Sequence, residues 1–252
     1  MIDDYADAQA NHSEEEIIDL CCGAIHTENS FIKSHPRALE FILYYDELSF
    51  SNPLGAEASK NKFGVLYFTL ANFPPHIRSH LDFIFLLGLA QANDVKGELI
   101  ENLLKPLVAE LKTFANGLHL GLEHNTRLFF GYPFIFVGDT PALNHLFGIK
   151  EGVCSSFRKC RQGFASRNDF GSKFDINLFK KRNVEEHIVE AMQVEMESGT
   201  NNSSTSKEEG ITRLNSLFQL ANVCNCNPFT QAPDDLMHVL FEGIVPCYEI
   251  IF

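Results

Sequence analysis

The stretch FILYYDE at residues 41–47 decides the fold of this 252-residue chain. An unbroken apolar and aromatic run stops at two acids, Asp46 and Glu47, and this pattern predicts a short buried strand. A second apolar run, FIFVGD at residues 134–139, ends at Asp139. The sequence therefore predicts two strands that each carry an aspartate at the C-terminal end.

The residues between these two runs predict a mixed α/β fold. Further strands are expected at about 64–70 and 83–90, with a helix as the alternative for the second of them. Apolar residues recur at helical spacing from 98 to 115, which predicts an amphipathic helix. Thr140-Pro141 is typical of a helix start. The order of these elements predicts that a helical crossover brings the last strand beside the first.

The composition predicts an intracellular chain, nuclear or cytoplasmic, that is neither secreted nor in a membrane. No apolar run approaches the length of a membrane span. The acidic N-terminus is unlike a secretory signal or a basic transit peptide. Seven cysteines, an odd number at irregular positions, favour reduced thiols over a disulfide framework.

The formal net charge of −13 argues against this chain binding nucleic acid unaided, since DNA binding relies on Lys and Arg at the phosphates. Two basic clusters are visible, Arg158-Lys159 with Arg161 and Lys180-Lys181-Arg182. If DNA is the substrate, metal ions or a separate basic domain must supply much of the attraction.

Three ordered blocks resemble transposases of the CACTA-like and Kyakuja-Dileera-Zisupton groups. Residues 42–70, ILYYDELSFSNPLGAEASKNKFGVLYFTL, are similar to their YYD-x(5)-NPLG stretch and the strand that follows it. Residues 138–161, GDTPALNHLFGIKEGVCSSFRKCR, are similar to their GDxPA and RKCRxC segment. Residues 210–246 are similar to their GINRRS and DxMHxLFEGVxP block.

The resemblance implies a ribonuclease-H-like DDE/D catalytic domain that cuts and joins transposon-end DNA with Mg²⁺ or Mn²⁺, in a protein expected to form an oligomer. By position, Asp46 and Asp139 match the first two acidic ligands, and Glu242 is the last plausible third carboxylate in a matching block. We expect the true third ligand to fall beyond Phe252, which predicts impaired catalysis. From the residues alone, each aspartate is equally interpretable as a turn or N-cap residue.

A degenerate zinc site is a weaker expectation. The family segment carries two cysteines two residues apart, a spacing that suits Zn²⁺, but here Gly163 stands where the partner of Cys160 is expected. Cys154 could substitute only with a different loop, and Cys160 is otherwise a small buried residue. Asp235 and His238 share one helix face and could support a metal, the alternative being an N-cap with a buried histidine.

The chain is predicted to have four parts. The expected division is an acidic lead-in at 1–35 with a short helix near 14–24, a ribonuclease-H-like core at 36–182, a helix and disordered linker or surface loop at 183–209, and an incomplete C-terminal helical part at 210–252. The ending on Ile250-Ile251-Phe252 predicts a truncated domain. The alternative function is that of a domesticated, non-enzymatic interaction protein that uses its acidic surface and the segment 198–209. An unrelated α/β binding domain is a third option.

Overall fold

Strand β1 (Leu39–Ser49) is at the centre of the structure, a computed structural model. The described residues are 2, 4–5, 7, 17–49, 62–91, 100–122, 125–151, 157–158, 160–166, 168–169, 172–173, 175–197 and 204–235. The remaining strands are β2 (Lys62–Leu70), β3 (Phe85–Gln91), β4 (Leu118–Leu122), β5 (Asn125–Phe129) and β6 (Gly131–Val137).

The helices lie before, between and after these strands. They are α1 (Ala24–Thr27), α2 (Ser30–Ser34), α3 (Pro75–Arg78), α4 (Ile100–Asn116), α5 (Thr140–Leu146), α6 (Val184–Met196), α7 (Ser204–Glu209) and α8 (Ala221–Cys224). Short 3-10 helices occupy Leu20–Cys22, Leu81–Phe83, Ile176–Leu178 and Ser216–Leu220.

Four strands form one mixed sheet in the order β3-β2-β1-β6. Strands β1, β2 and β3 pair antiparallel, whereas β6 pairs parallel to β1. Helix α4 supplies the crossover from β3 toward β6, since parallel strands cannot be joined by a tight turn. The predicted α/β class, and the placement of the second aspartate-ended strand beside the first, are confirmed.

Helix α4 forms because its apolar residues recur on one side. Ile100, Leu104, Val108, Leu111 and Ala115 are buried at spacings of three and four residues, which place them on the face that packs against the sheet and the 3-10 helix at Ser216–Leu220. Each leucine buried in this way contributes about 2 kcal/mol relative to an exposed one. The helix predicted for 98–115 is therefore confirmed.

The hairpin of β4 and β5 was not predicted from the sequence. Its two five-residue strands pair antiparallel from Leu118 opposite Phe129 to Leu122 opposite Asn125. Neither strand contains an unbroken apolar run of the kind that marks β1 and β6. A strand is recognised in a sequence by such an apolar run or by a sustained alternation of apolar and polar residues.

The main core draws on residues from both ends of the described chain. Phe31 and Ile32 of α2 belong to it, as do Phe218 and Phe229 near the C-terminal side, and all four are buried. Phe31 packs against Tyr132 of β6 with ring centroids 5.4 Å apart. The segments that flank the sheet in sequence therefore pack on it in space.

Two local predictions fail. The linker or surface loop predicted for 198–209 is wrong for its second half, because Ser204–Glu209 is helical and Ser206 is fully buried. The helix predicted near 14–24 is wrong for the residues described there, because residues 17–19 are non-helical and Leu20–Cys22 is a single 3-10 turn. Long-range contacts stabilise the helix at Ser204–Glu209. The segment at 14–24 lacks the sustained apolar face that would stabilise a longer helix.

Candidate functional site

Asp46 lies in the C-terminal part of β1, and Asp139 follows the C-terminal end of β6, the strand beside it. The prediction that β1 stops at Asp46 is wrong, because the strand stays paired with β2 as far as Ser49. In the parallel register Tyr44 is opposite Val137, and each aspartate follows two residues later. A Cβ atom at Gly138 would lie 2.7 Å from the Tyr45 carbonyl oxygen, so a residue without a side chain is needed for this close approach. The structure thus brings both predicted aspartates to the same edge of the sheet.

Asp139 is the N-cap of α5. Its backbone is extended, and its Oδ1 accepts a hydrogen bond of 2.6 Å from the Ala142 N–H. Pro141 in the first turn has no backbone N–H and therefore needs no acceptor. The N-cap interpretation of this residue is confirmed. Because a carboxylate offers about four lone-pair sites, capping does not by itself prevent metal binding.

Asp46 is exposed within β1, opposite Val65 of β2, and its Oδ1 accepts a hydrogen bond of 2.7 Å from the Glu47 N–H. Tyr44, two residues earlier, stacks on Tyr67 of β2 with centroids 4.9 Å apart and rings parallel within 1°. Burial, and then the Asp46 carboxylate, raise the pKa of Tyr67. The aspartate therefore acts electrostatically on this tyrosine pair.

Tyr45 holds β1 against α5. Its side chain is 1% exposed, and its ring stacks on His145 of α5 at 6.0 Å. Burial raises the pKa of the Tyr45 hydroxyl. His145 Nδ1 in turn lies 2.9 Å from Glu151 Oε1. These contacts hold the last turn of α5 against β1.

No sequence pattern predicts this support, because His145 belongs to no motif in the sequence. Its contacts with Tyr45 and Glu151 depend on the packing of α5 against β1, which local spacing does not show.

Among the residues that the structure describes, none adds a third ligand to the aspartate pair. Glu242 and His238 lie outside the described residues. Within the part of the chain that is described, no group of three or more His, Cys, Asp or Glu side chains is arranged to hold a metal ion. A metal site at this edge of the sheet would therefore depend on the carboxylates of Asp46 and Asp139.

Cys160 has a structural contact through its backbone. Its carbonyl oxygen accepts a hydrogen bond of 2.9 Å from Arg182 Nε, and its thiol is partly buried. Gly163, where the family pattern places the second cysteine, forms a β-bridge with Lys181. Cys154 lies outside the described residues, so the zinc expectation stays a prediction.

The arginines of the two basic clusters serve the fold. Arg158 Nη1 lies 2.8 Å from Glu209 Oε1. Arg161 is buried and donates to the Ala232 carbonyl and to Asp234, both at 3.0 Å. Arg182 is buried and donates to the Glu209 carbonyl at 2.7 Å, and burial lowers its pKa. These guanidinium groups bind internal acceptors rather than forming a phosphate-binding surface.

Comparison with known proteins does not place the chain in a family. No family model matches the sequence, and no curated protein matches it significantly. Among the described residues, no helix has both the length and the apolarity required to cross a membrane.

Proposed function

We propose that the chain is the catalytic domain of a DDE/D-type transposase, with strand cleavage weak in this chain, and that Asp46 and Asp139 together bind Mg²⁺ or Mn²⁺. The observation that carries this proposal is the parallel pairing of β1 with β6, which puts both aspartates at one edge of the sheet. Carboxylate oxygens are the ligands that both cations prefer.

The sheet order supports a ribonuclease-H-like domain as the finer description of the fold. An antiparallel meander of three strands is followed by a helical crossover and a strand parallel to the first. That arrangement is compatible with the three sequence blocks that resemble transposases. Their first aspartate lies in the C-terminal part of β1, and their GDxPA segment is the turn from β6 into α5.

The two aspartates have different supports. Asp139 is oriented by its cap on α5, a helix whose last turn is held against β1 by the contact of Tyr45 with His145. Asp46 is oriented by its place in β1, opposite Val65 of β2. When bound between them, a divalent cation would polarise a phosphodiester and stabilise charge on the oxygens that exchange. Two carboxylates rather than three would hold it weakly, because Mg²⁺ then depends on water for most of its coordination.

Binding of Mn²⁺ to the purified chain tests the proposal directly. We expect titration calorimetry to show one site that weakens at least tenfold in Asp46→Asn and in Asp139→Asn. Asparagine removes the charge but still caps a helix, so the fold is retained. Asp82→Asn, at an exposed aspartate away from this edge, is the matched control. Equal binding by all four proteins would refute the shared site.

Plasmid nicking with Mg²⁺ or Mn²⁺ tests the reaction. The proposal predicts slow nicking that is lost in both site variants and kept in the control. The salt dependence of DNA binding follows the number of phosphates that the protein neutralises. Because the formal charge of this chain is −13, nicking should depend only weakly on added salt.

The second candidate is a non-enzymatic interaction protein. It is favoured by the internal pairing of Arg158, Arg161 and Arg182, which leaves these basic residues poorly placed to bind DNA phosphates. Absence of both Mn²⁺ binding and nicking would select this candidate over the transposase.

A further inference from the structure

Helix α6 has two apolar faces, and only one of them packs inside the protein. The inner face consists of the buried residues Val184, His187, Ala191 and Val194. Ala191 and Val194 pack with Ile211 in a small core of their own. Such an inner face accounts for the position of the helix, as for any surface helix.

The outer face carries a row of exposed apolar side chains, here called the α6 stripe: Val189, Met192 and Met196. Their exposed fractions are 65%, 48% and 85%. The spacing of three and four residues puts them on one side of the helix, and Glu185 precedes Val189 by four. Single exposed apolar residues are ordinary, but an aligned row with two methionines is typical of a surface that packs against a partner helix.

The charges along α6 have one sign. Residues 184–196 contain Glu185, Glu186, Glu190 and Glu195, with no lysine or arginine. Lys180 pairs with Glu186 at 2.5 Å, which offsets one of these charges. The α6 stripe therefore lies on an acidic helix.

A pocket of about 730 Å³ continues the α6 stripe at its N-terminal end. Val189 lines it together with Glu185, Glu190 and the ring of Phe164. Its cationic residues are Arg158, which pairs with Glu209, and Lys180. Burial, and then the Glu209 carboxylate, raise the pKa of Glu190, as expected for a carboxyl group that lacks sufficient countercharge.

We propose that the α6 stripe and the adjoining pocket dock a basic amphipathic helix of another protein. The apolar residues of such a helix would cover Val189, Met192 and Met196, and a lysine or arginine at its end would reach Glu185 and Glu190. This is the helix-docking mode in which residues at i, i+3, i+4 and i+7 are the anchors.

Charge argues against a second copy of this chain, and against the chain's own C-terminal segment, as the partner that covers the α6 stripe. A second copy of α6 would oppose glutamates to glutamates across the contact, which is unfavourable. The chain's own apolar segment at 236–252 contains two glutamates and no lysine or arginine. The proposal holds whether or not the aspartate edge binds metal.

Fluorescence anisotropy with a labelled 18-residue peptide of leucine and lysine, apolar on one helical face, tests the proposal. We expect saturable binding that weakens at least tenfold in the triple variant Val189→Gln, Met192→Gln, Met196→Gln. Glutamine is a good helix former, so the variant should keep its circular dichroism. The double variant Leu86→Gln, Leu89→Gln on β3, which removes exposed apolar side chains elsewhere, should bind as the wild type does.

A peptide with glutamate in place of lysine separates charge recognition from general apolar adhesion. It should bind at least tenfold more weakly than the lysine peptide. Equal affinity for the two peptides, no binding of the lysine peptide, or loss of binding in the β3 variant instead of the α6 variant would each overturn the proposal. Sedimentation data could also overturn the proposal. If the wild type is a dimer that the α6 substitutions convert to a monomer, the partner that covers the α6 stripe is a second copy of this chain.

Discussion

Replacement of Asp139 by alanine should destabilise the fold by about 1 kcal/mol, the typical value for loss of an N-cap side chain. The hydrogen bond at stake is the 2.6 Å contact from Ala142 N–H to Asp139 Oδ1. It holds the start of α5, whose Leu143 and Leu146 are almost completely buried. For a protein of this size, 1 kcal/mol lowers Tm by about 2–4 °C.

Urea denaturation of the wild type, Asp139→Ala and Asp139→Asn distinguishes the helix-capping role of the Asp139 side chain from the effect of its negative charge. We expect the midpoint to fall in the alanine variant at an unchanged m value, and to stay near wild type in the asparagine variant. Mn²⁺ binding should be lost in both. If asparagine destabilises as much as alanine, the carboxylate stabilises the fold through its charge rather than as a cap, and the reasoning about Asp139 fails.

Two further substitutions test the packing around this edge and beneath α6. Gly138→Ala should destabilise the fold by about 1–3 kcal/mol, because the new Cβ would lie 2.7 Å from the Tyr45 carbonyl oxygen. An unchanged urea midpoint would contradict this, since it would show that β1 and β6 can move apart without loss of stability. Burial lowers the pKa of His187 to about 3, below its unfolded value of about 6.5, so the unfolded state binds the proton first as pH falls. Stability should therefore be complete above pH 6.5 and decline by about 2 kcal/mol by pH 5. His187→Leu should remove that part of the decline when urea midpoints at pH 7 and pH 5 are compared, and an unaltered pH dependence would contradict the assignment.

Part of the candidate site followed from the sequence because its signals are local. An apolar run that stops at an acid specified β1 and the position of Asp46 in its C-terminal part, but not the end of the strand, which continues to Ser49 because of its pairing with β2. Thr140-Pro141 specified the start of α5 and so the capping alternative for Asp139. The close approach of the two strand ends at Gly138, and the support of α5 by Tyr45 and His145, depend on atoms far apart in sequence.

The basic clusters show where sequence patterns mislead. Arg158 is paired with Glu209 across 51 residues, and Arg182 donates to the carbonyl of Glu209 across 27. The same contacts stabilise α7 within a segment that has no apolar residue to bury. A cluster of cations in sequence does not reveal whether its partners are phosphates or internal carboxylates.

The sequence by itself determined three strands of the main sheet, the long crossover helix and the acidic charge, because periodicity and run length are properties of neighbouring residues. For 83–90 it left both a strand and a helix open, and the pairing of β3 with β2 decided for the strand. Only the tertiary structure decided which polar groups are enclosed and which surfaces stay exposed. The outer face of α6 and the inward-facing arginines are of this kind, since burial depends on which segments meet in space.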